Sequence, residues 1–360
     1  MRIVKIFLML QKNNIMNTDY RKMFAEMESE PVTTLHKNSR VLIIDSLNTF
    51  LRSFVAIHHI NPAGNHVGGL GGFLKSVGAV IKQLQPTRVI LVFDGVGGST
   101  NKRYLYPEYK ANRHITKISN WDAFDNQEEE SESITNQILR LVAYLKCLPV
   151  DLIAIDKIEA DDVIGYLATR FPEKVTILST DQDYLQLVSD KITVYSPVKK
   201  IIYDPARVVK EYGITPQNFL VGKVILGDKG DNVPGVKGIG AKTLIKLFPQ
   251  LKEKEKFRLL VLLEYAKQNI TKSKHYGDIL NYSYQLDINR KLMDLHNPNI
   301  PQEDKAVVDH LLNNPNNGYD PIKFVKLYNE DLLGKTLLSP QIWLGETFAK
   351  LTGYELKDQE

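Results

Sequence analysis

Nine acidic side chains recur where they could act together: Asp45, Asp94, Glu159, Asp161, Asp162, Asp181, Asp183, Asp228 and Asp231. Taken singly, an Asp at a strand end or helix start is ordinary turn and capping chemistry. Glu159-Ala160-Asp161-Asp162 is harder to read that way. It opens an apolar helix, where the positive end of the dipole favours carboxylates, yet three acids in four residues exceed what a cap needs. Glu159 and Asp162 share a face of that helix. Thr180-Asp181-Gln182-Asp183 supplies another pair, and Gly227-Asp228-Lys229-Gly230-Asp231 a third with its members three residues apart. Carboxylates that converge repel one another, raise each other's pKa and destabilise a fold unless cations neutralise them. An all-oxygen set without a Cys or His cluster points to magnesium, with manganese able to substitute, rather than zinc. Two such ions about 4 Å apart can activate a water and stabilise the leaving oxygen of a phosphodiester.

The elements that must position these acids are legible. Arg40-Val41-Leu42-Ile43-Ile44-Asp45 is a short apolar run ending in a carboxylate, the pattern of a strand buried on both faces of a sheet. Arg88-Val89-Ile90-Leu91-Val92-Phe93-Asp94 repeats it, followed by runs at residues 152–156 and 175–179. Helical spacing over residues 73–84, 134–145 and 160–170 alternates with them, which predicts an α/β fold with a mostly parallel central sheet flanked by helices. In such sheets ligands collect beyond the carboxyl ends of the strands, where Asp45, Asp94, Asp181 and Asp183 fall. The connection from Gly95 to Ser133 is too long for an ordinary loop, so it is expected to be functional. The acidic run Glu128-Glu129-Glu130 with Glu132 reads as a solvated face. Gly68-Gly69-Leu70-Gly71-Gly72 fails the spacing of a dinucleotide loop and is expected to pack closely at a helix start. Beyond Tyr203 the pattern turns to helices and glycine turns.

At 360 residues with a net charge of +4, the chain has room for a large domain and a smaller one and is only mildly basic. The charge is distributed unevenly, with Lys and Arg crowding residues 101–117 and 223–246. One cysteine, Cys147, excludes a disulfide framework and a thiolate zinc site and suits a buried thiol. The N-terminus has a basic start and an apolar stretch, but Lys5 interrupts it and no small-residue cleavage site follows. It is therefore read as an extension and not a signal peptide, and the protein as cytoplasmic and not secreted. No stretch reaches the roughly 18 apolar residues of a membrane span.

Gly227-Asp228-Lys229-Gly230-Asp231-Asn232-Val233-Pro234-Gly235-Val236-Lys237-Gly238-Ile239-Gly240-Ala241-Lys242-Thr243 closely resembles the signature of the 5′-nuclease, or flap endonuclease, family. The two acidic motifs at residues 159–162 and 180–183 match that family in its own order, and Tyr106-Pro107-Glu108-Tyr109-Lys110-Ala111-Asn112-Arg113 is similar to its segment between the second strand and the acidic helix. The resemblance spans about residues 40–249, and the chain's size suggests the bacterial and phage branch, which includes phage ribonuclease H-type primer-removal nucleases. Where many members have Asp-Gly after the first strand, this chain has Asp45-Ser46.

The resemblance implies a PIN-like 5′-nuclease fold and this organisation: an extension at 1–38, an α/β nuclease domain at 39–220 with an arch or clamp at 97–133, a helix-hairpin-helix module at 221–252 and a helical region at 253–360. It implies one magnesium site built from Asp45, Asp94, Glu159, Asp161 and Asp162, and a second from Asp181, Asp183, Asp228 and Asp231, some of them binding through water. Lys110 and Arg113 are expected to contact the scissile phosphate and stabilise its developing charge. Tyr104, Tyr106 and Tyr109, interleaved with Arg103, offer stacking on an unpaired base, with ordinary packing as the alternative. Gly235, Lys237, Gly238, Gly240 and Lys242 form the hairpin that grips duplex backbone through N–H groups, glycines and positive charge, with potassium a further ligand there. The implied activity is 5′-3′ exonuclease and flap endonuclease cleavage of DNA or RNA-DNA duplexes in primer or flap removal, by a monomer, with single-strand-binding or clamp proteins as partners. Two alternatives remain: an RNA-cleaving nuclease of related fold, which would not need the hairpin, and a structural DNA-binding protein that has lost catalysis, against which the intact acidic set argues.

Overall fold

Hydrophobic runs that alternate between two cores organise the chain. In the computed structural model, which describes residues 35–113, 119–120 and 122–357, six strands form one sheet in the order β3-β2-β1-β4-β5-β6. They are β1 (Arg40–Asp45), β2 (Arg88–Asp94), β3 (Asp151–Ile155), β4 (Lys174–Leu178), β5 (Ile192–Ser196) and β6 (Ile201–Tyr203). All neighbours pair in parallel except β5 and β6. Leu42, Ile44, Val89 and Leu91 enter the core on one face, while Val41, Ile43, Ile90 and Val92 enter the core on the other. That two-sided burial is why these strands read as continuous apolar runs. The first four strands fall where the sequence puts them, within one residue; β5 and β6 were not expected.

The helices follow as α1 (Ser46–Ala56), α2 (Gly68–Leu84), α3 (Thr100–Leu105), α4 (Gln127–Leu145), α5 (Ala160–Ala168), α6 (Pro205–Tyr212) and α7 (Pro216–Leu226). Beyond them come α8 (Ala241–Leu247), α9 (Leu259–Gln268), α10 (Lys274–Asn281), α11 (Ser283–Met293), α12 (Gln302–Asn313), α13 (Pro321–Glu330) and α14 (Pro340–Thr347). Side chains of α1, α2, α4, α13 and α14 build the core on one face of the sheet, and α5 and α12 contribute to the other. A third cluster holds the helices from α7 to α11 together around Phe248, Leu262 and Leu286. The C-terminal helices thus complete the main core: Phe324, Leu344 and Phe348 pack in the same cluster as Phe50 and Tyr144.

Helix α2 starts five residues before the expected position because the glycines belong inside it. A Cβ at Gly68 would stand 1.7 Å from the Ile57 carbonyl oxygen and one at Gly72 2.5 Å from Ile57 Cδ1, so close packing overrides the poor helix propensity of glycine. One compact unit begins at His36 and so takes in residues 36–38 of the expected extension: Lys37 is 1 % exposed, and its ammonium donates to Asn317 Oδ1 at 2.6 Å and the Leu351 carbonyl at 2.8 Å. The rest of the proposed extension, residues 1–34, lies outside the described residues, as do residues 114–118 and 121 of the proposed arch. Cys147 is buried, as its neighbours predict. Among the described residues no helix is long and apolar enough to cross a membrane.

The acidic run is exposed as expected at Glu128, Glu129 and Glu132, with Glu130 the exception. It forms the first turns of α4, capped by Asn126, whose side chain accepts from the Glu129 amide at 2.9 Å. Glu130, far from being solvated, is 3 % exposed and accepts from the amides of Ser119 at 2.8 Å and Asn120 at 2.8 Å. It fastens Ser119 and Asn120 to α4. Glu130→Ala orphans both amides and is expected to cost about 1–3 kcal/mol, read as a lowered urea midpoint at unchanged m-value; an unchanged midpoint would remove Glu130 as the anchor.

Candidate metal centre

The sheet order reverses on either side of β1, whose neighbours are β2 and β4, and that switch point opens a crevice at the carboxyl ends of the strands. Asp45 ends β1 there and caps α1, its Oδ1 accepting from the Asn48 amide at 3.3 Å and its Oδ2 from Ser179 Oγ at 3.0 Å and the Tyr184 hydroxyl at 3.3 Å. Ser46, in the place of the more usual glycine, is fully buried as the first residue of α1. Asp94 ends β2 and accepts from the Ala160 amide at 2.9 Å, joining it to the start of α5. Glu159 stands at the N-cap position of that helix without a side-chain capping bond, and oxygens of Glu159, Asp161 and Asp162 all lie within 4.8 Å of one another. After β4, Asp181 accepts from the Asp183 amide at 2.9 Å. The loop following α7 folds back through a bridge between Asp228 and Val233, with Asp228 Oδ1 accepting from the amides of Gly230 at 2.8 Å and Asp231 at 3.2 Å.

Ammonium groups and the Tyr109 phenol bridge Glu159, Asp161, Asp162 and Asp231 in one group and Asp183 and Asp228 in another, while among the described residues no such bridge reaches Asp45, Asp94 or Asp181. Lys102 Nζ, on α3, stands 2.8 Å from Glu159, 3.2 Å from Asp161 and 3.1 Å from Asp162. Lys223 Nζ, on the last turn of α7, pairs with Asp183 and lies 2.9 Å from Asp228. Neither lysine is singled out by sequence; their signal was the basic crowding at residues 101–117 and 223–246. Lys110 Nζ pairs with Glu159 and lies 4.0 Å from Asp231, and Arg113 pairs with Asp231. Tyr109, 2 % exposed, donates its hydroxyl to Glu159 at 2.9 Å and to Asp231 at 3.0 Å. That burial withdraws Tyr109 from the stacking set and makes it a strut between two carboxylates; Tyr104 remains 84 % exposed.

The segment bearing Lys110 is laid against the loop bearing Asp231 by backbone contacts. The Lys110 amide donates to the Asp231 carbonyl at 2.8 Å, Asn112 Nδ2 to the Lys229 carbonyl at 2.9 Å and Asn232 Nδ2 to the Glu108 carbonyl at 2.7 Å. Arg103 is exposed and its Nε donates to the Tyr109 carbonyl at 3.3 Å. In the hairpin between α7 and α8, Lys237, Gly238, Gly240 and Lys242 are exposed. Gly238 takes a left-handed φ of 82°, which glycine adopts without strain. Gly235 differs: a Cβ there would meet the Leu226 carbonyl oxygen at 2.0 Å, so its glycine serves the packing of the hairpin against α7.

Burial and mutual repulsion give the cluster its electrostatics. Burial pushes Asp45 up to about 7, with Asp94 and Asp181 adding to the rise. Burial also raises Asp162 to about 7 against the pull of Lys102. Asp181 rises to about 6, but its exposure lets water screen it. Glu159 goes the other way: burial opposes ionisation, yet Lys102 and Lys110 together hold it at about 2. An acidic pocket that leaves some carboxylates protonated while lysines bridge the rest is one short of positive charge, and its donors are oxygens throughout. That donor set fits hard divalent cations such as magnesium or manganese.

A doubly wound α/β sheet with acids gathered at its switch point and a helix-hairpin-helix beside them defines a nuclease fold of the PIN-like type. Residues 40–213 match the family described as 5′-3′ exonuclease, N-terminal resolvase-like domain. A 5′-3′ exonuclease of Bacillus subtilis is 31% identical over 271 residues, covering 72% of this chain and 84% of the relative, and one from Aquifex aeolicus is 32% identical over 227 residues, covering 60% and 73%. A DNA polymerase I of Bacillus caldotenax is 31% identical over 219 residues, which are 59% of this chain and 23% of the polymerase. The fold is shared with the flap endonuclease of bacteriophage T5, solved as a pseudo-enzyme–product complex with DNA and metal ions: TM-score 0.58 and 20% identity, covering 82% of this chain and 98% of that one. The chain belongs to the 5′-3′ exonuclease family.

Proposed function

We propose that this protein is a magnesium-dependent 5′-3′ exonuclease and flap endonuclease that hydrolyses phosphodiesters near 5′ ends of DNA or RNA-DNA duplexes, removing primers or flaps in replication. The observation that carries the reading is the gathering of Glu159, Asp161 and Asp162 within 4.8 Å of one another at the start of α5, beyond the carboxyl ends of the strands, with Asp94 accepting from the Ala160 amide and Lys110 paired with Glu159. Asp45, Asp94, Glu159, Asp161 and Asp162 would hold one magnesium ion, and Asp181, Asp183, Asp228 and Asp231 a second, with manganese able to replace either. When bound, such ions supply an activated water and stabilisation of the leaving oxygen. The chain's own groups do the rest. Lys237, Lys242 and the exposed hairpin backbone hold the duplex by its phosphates, without reading sequence, and a potassium ion would sit there. Lys110 and Arg113 face the scissile phosphate and stabilise its charge as it develops. Tyr109 fixes the spacing of Glu159 and Asp231.

The test is cleavage of 5′-labelled flap, nicked, gapped and RNA-primed duplexes with magnesium or with chelator, beside an Asp183→Asn variant. Metal-dependent product released from 5′ ends is expected, with the variant inactive. Duplex binding without product on any substrate would leave a structural DNA-binding protein. Tyr109→Phe removes the hydroxyl that orients two carboxylates and is expected to weaken metal affinity by roughly 10–100-fold, measured by calorimetric titration of manganese into the DNA-free protein. Unchanged affinity would reduce Tyr109 to packing.

A further inference from the structure

Below the carboxylate cluster, the C-terminal end of α5, the last turn of α11 and the first turns of α12 enclose an open cleft of about 710 Å³. Its walls carry Arg170, Arg290, Lys291 and Lys305, with Tyr166 beneath them and Leu105 of α3 at one end. Leu105, Lys291 and Asn299 also line a small recess that ends on Lys102 and Asp162, so the cleft starts where the acidic cluster stops.

The pairing of its cations is uneven. Arg290 lies 3.0 Å and Lys291 2.8 Å from Asp287, and Arg290 is also 3.9 Å from Asp294, the acid in the cleft wall. Arg170 and Lys305 have no carboxylate partner among the described residues. Both instead stand over the one Tyr166 ring, at 4.3 Å and 5.8 Å from its centre. The ring is held from behind, being 6 % exposed with its hydroxyl donating to Asp309 at 3.1 Å. Two cations without an ion-pair contact, held together over an aromatic ring whose one acidic neighbour, Asp309, is engaged by the Tyr166 hydroxyl, form a seat for anions. The room around them suits a length of polyanionic strand better than a single small ion.

We propose that this cleft binds the phosphates of the single 5′ strand after it has passed the carboxylate cluster, with Arg170 and Lys305 as the contacting groups. The inference rests on the 5′-nuclease reading and adds to it a strand site separate from the hairpin. A 5′ single strand is thereby held on both sides of the bond to be cut, and a longer flap binds more tightly than a short one.

The test is fluorescence anisotropy in EDTA with nicked, short-flap and long-flap duplexes, comparing the full-length protein with an Arg170→Gln/Lys305→Gln double variant. Glutamine keeps an extended side chain over Tyr166 and removes only charge. Affinity for the long flap is expected to fall on the order of tenfold, and the magnitude of its log-log salt slope by about 1.4, at about 0.7 per single-strand phosphate. Nicked and short-flap duplexes should bind as before, and Arg170→Lys/Lys305→Arg should restore the long flap. Equal loss on all three duplexes, no loss on any, or displacement of the long flap by millimolar inorganic phosphate or a mononucleotide would each overturn the proposal. Magnesium-dependent cleavage of the nicked duplex is a separate readout, so the strand site can fail while the nuclease reading stands.

Discussion

Lys110→Ala is expected to slow single-turnover cleavage by about 10²–10³-fold, the loss seen when one preorganised group facing a developing negative charge is removed. Duplex affinity should stay within a factor of about three, because one phosphate contact among several contributes little to grip. The geometry sets this split. The Lys110 backbone sits at a φ of 56°, a costly conformation for a side-chain-bearing residue, and is held there by the hydrogen bond its amide donates to the Asp231 carbonyl and by the contacts of Asn112 and Asn232. Alanine can keep that backbone while losing only the ammonium, so the acidic cluster should stay assembled. Without DNA the ammonium rests on Glu159, and a substrate phosphate would compete for it. Single-turnover rates with magnesium and anisotropy in EDTA measure the two quantities separately. A parallel fall in rate and affinity would assign Lys110 to grip and leave the chemistry to the acids alone.

The acids were legible from sequence because each follows a recognisable boundary: Asp45 and Asp94 close apolar runs, Glu159 opens a helix, and Asp228 and Asp231 sit in a glycine turn. Their counter-ions were not. Lys102 and Lys223 lie on helices where a lysine reads as a solvent-facing residue, and only the tertiary fold turns them onto Glu159 and Asp183. Tyr109 misleads for a related reason. Aromatic residues among basic ones suit a stacking platform, but the direction of the side chain depends on how residues 106–113 lie against the Asp231 loop. At the level of the fold, β1 to β4 announce themselves by two-sided burial, whereas β6 is a three-residue edge strand with too few positions to show a period. The glycines at the start of α2 are expected to pack closely there, but helical spacing starts the helix only at residue 73 because local propensity counts against glycine, and it is the approach of Ile57 that makes them necessary.

The same charge imbalance predicts that protons and divalent metal each stabilise the folded protein by neutralising the same carboxylates. Asp45 and Asp162 sit at about 7 in the folded protein, against roughly 3.9 for an unfolded Asp, and both are buried. The folded state therefore binds protons more tightly than the unfolded one. Their contribution to stability is fully present below about pH 4 and is lost as pH rises through about 7. Glu159, held at about 2, loses its stabilising contribution only at lower pH and stays constant across this window. His66 and His296, lowered by burial, act in the opposite sense near neutrality, so a comparison of variants is needed to isolate the acids. In EDTA the urea midpoint is expected to fall between pH 5 and 8 by an amount worth on the order of a few kcal/mol. With saturating magnesium the fall should vanish or reverse, because divalent ions bind the ionised acids and stabilise the folded state by mass action. Asp45→Asn/Asp162→Asn should flatten much of the EDTA profile and weaken the response to magnesium together, leaving the part carried by Asp94 and Asp181. A profile in EDTA that rises with pH in the wild type, or a variant that keeps the wild-type slope, would mean these buried carboxylates are not the groups that a metal ion relieves.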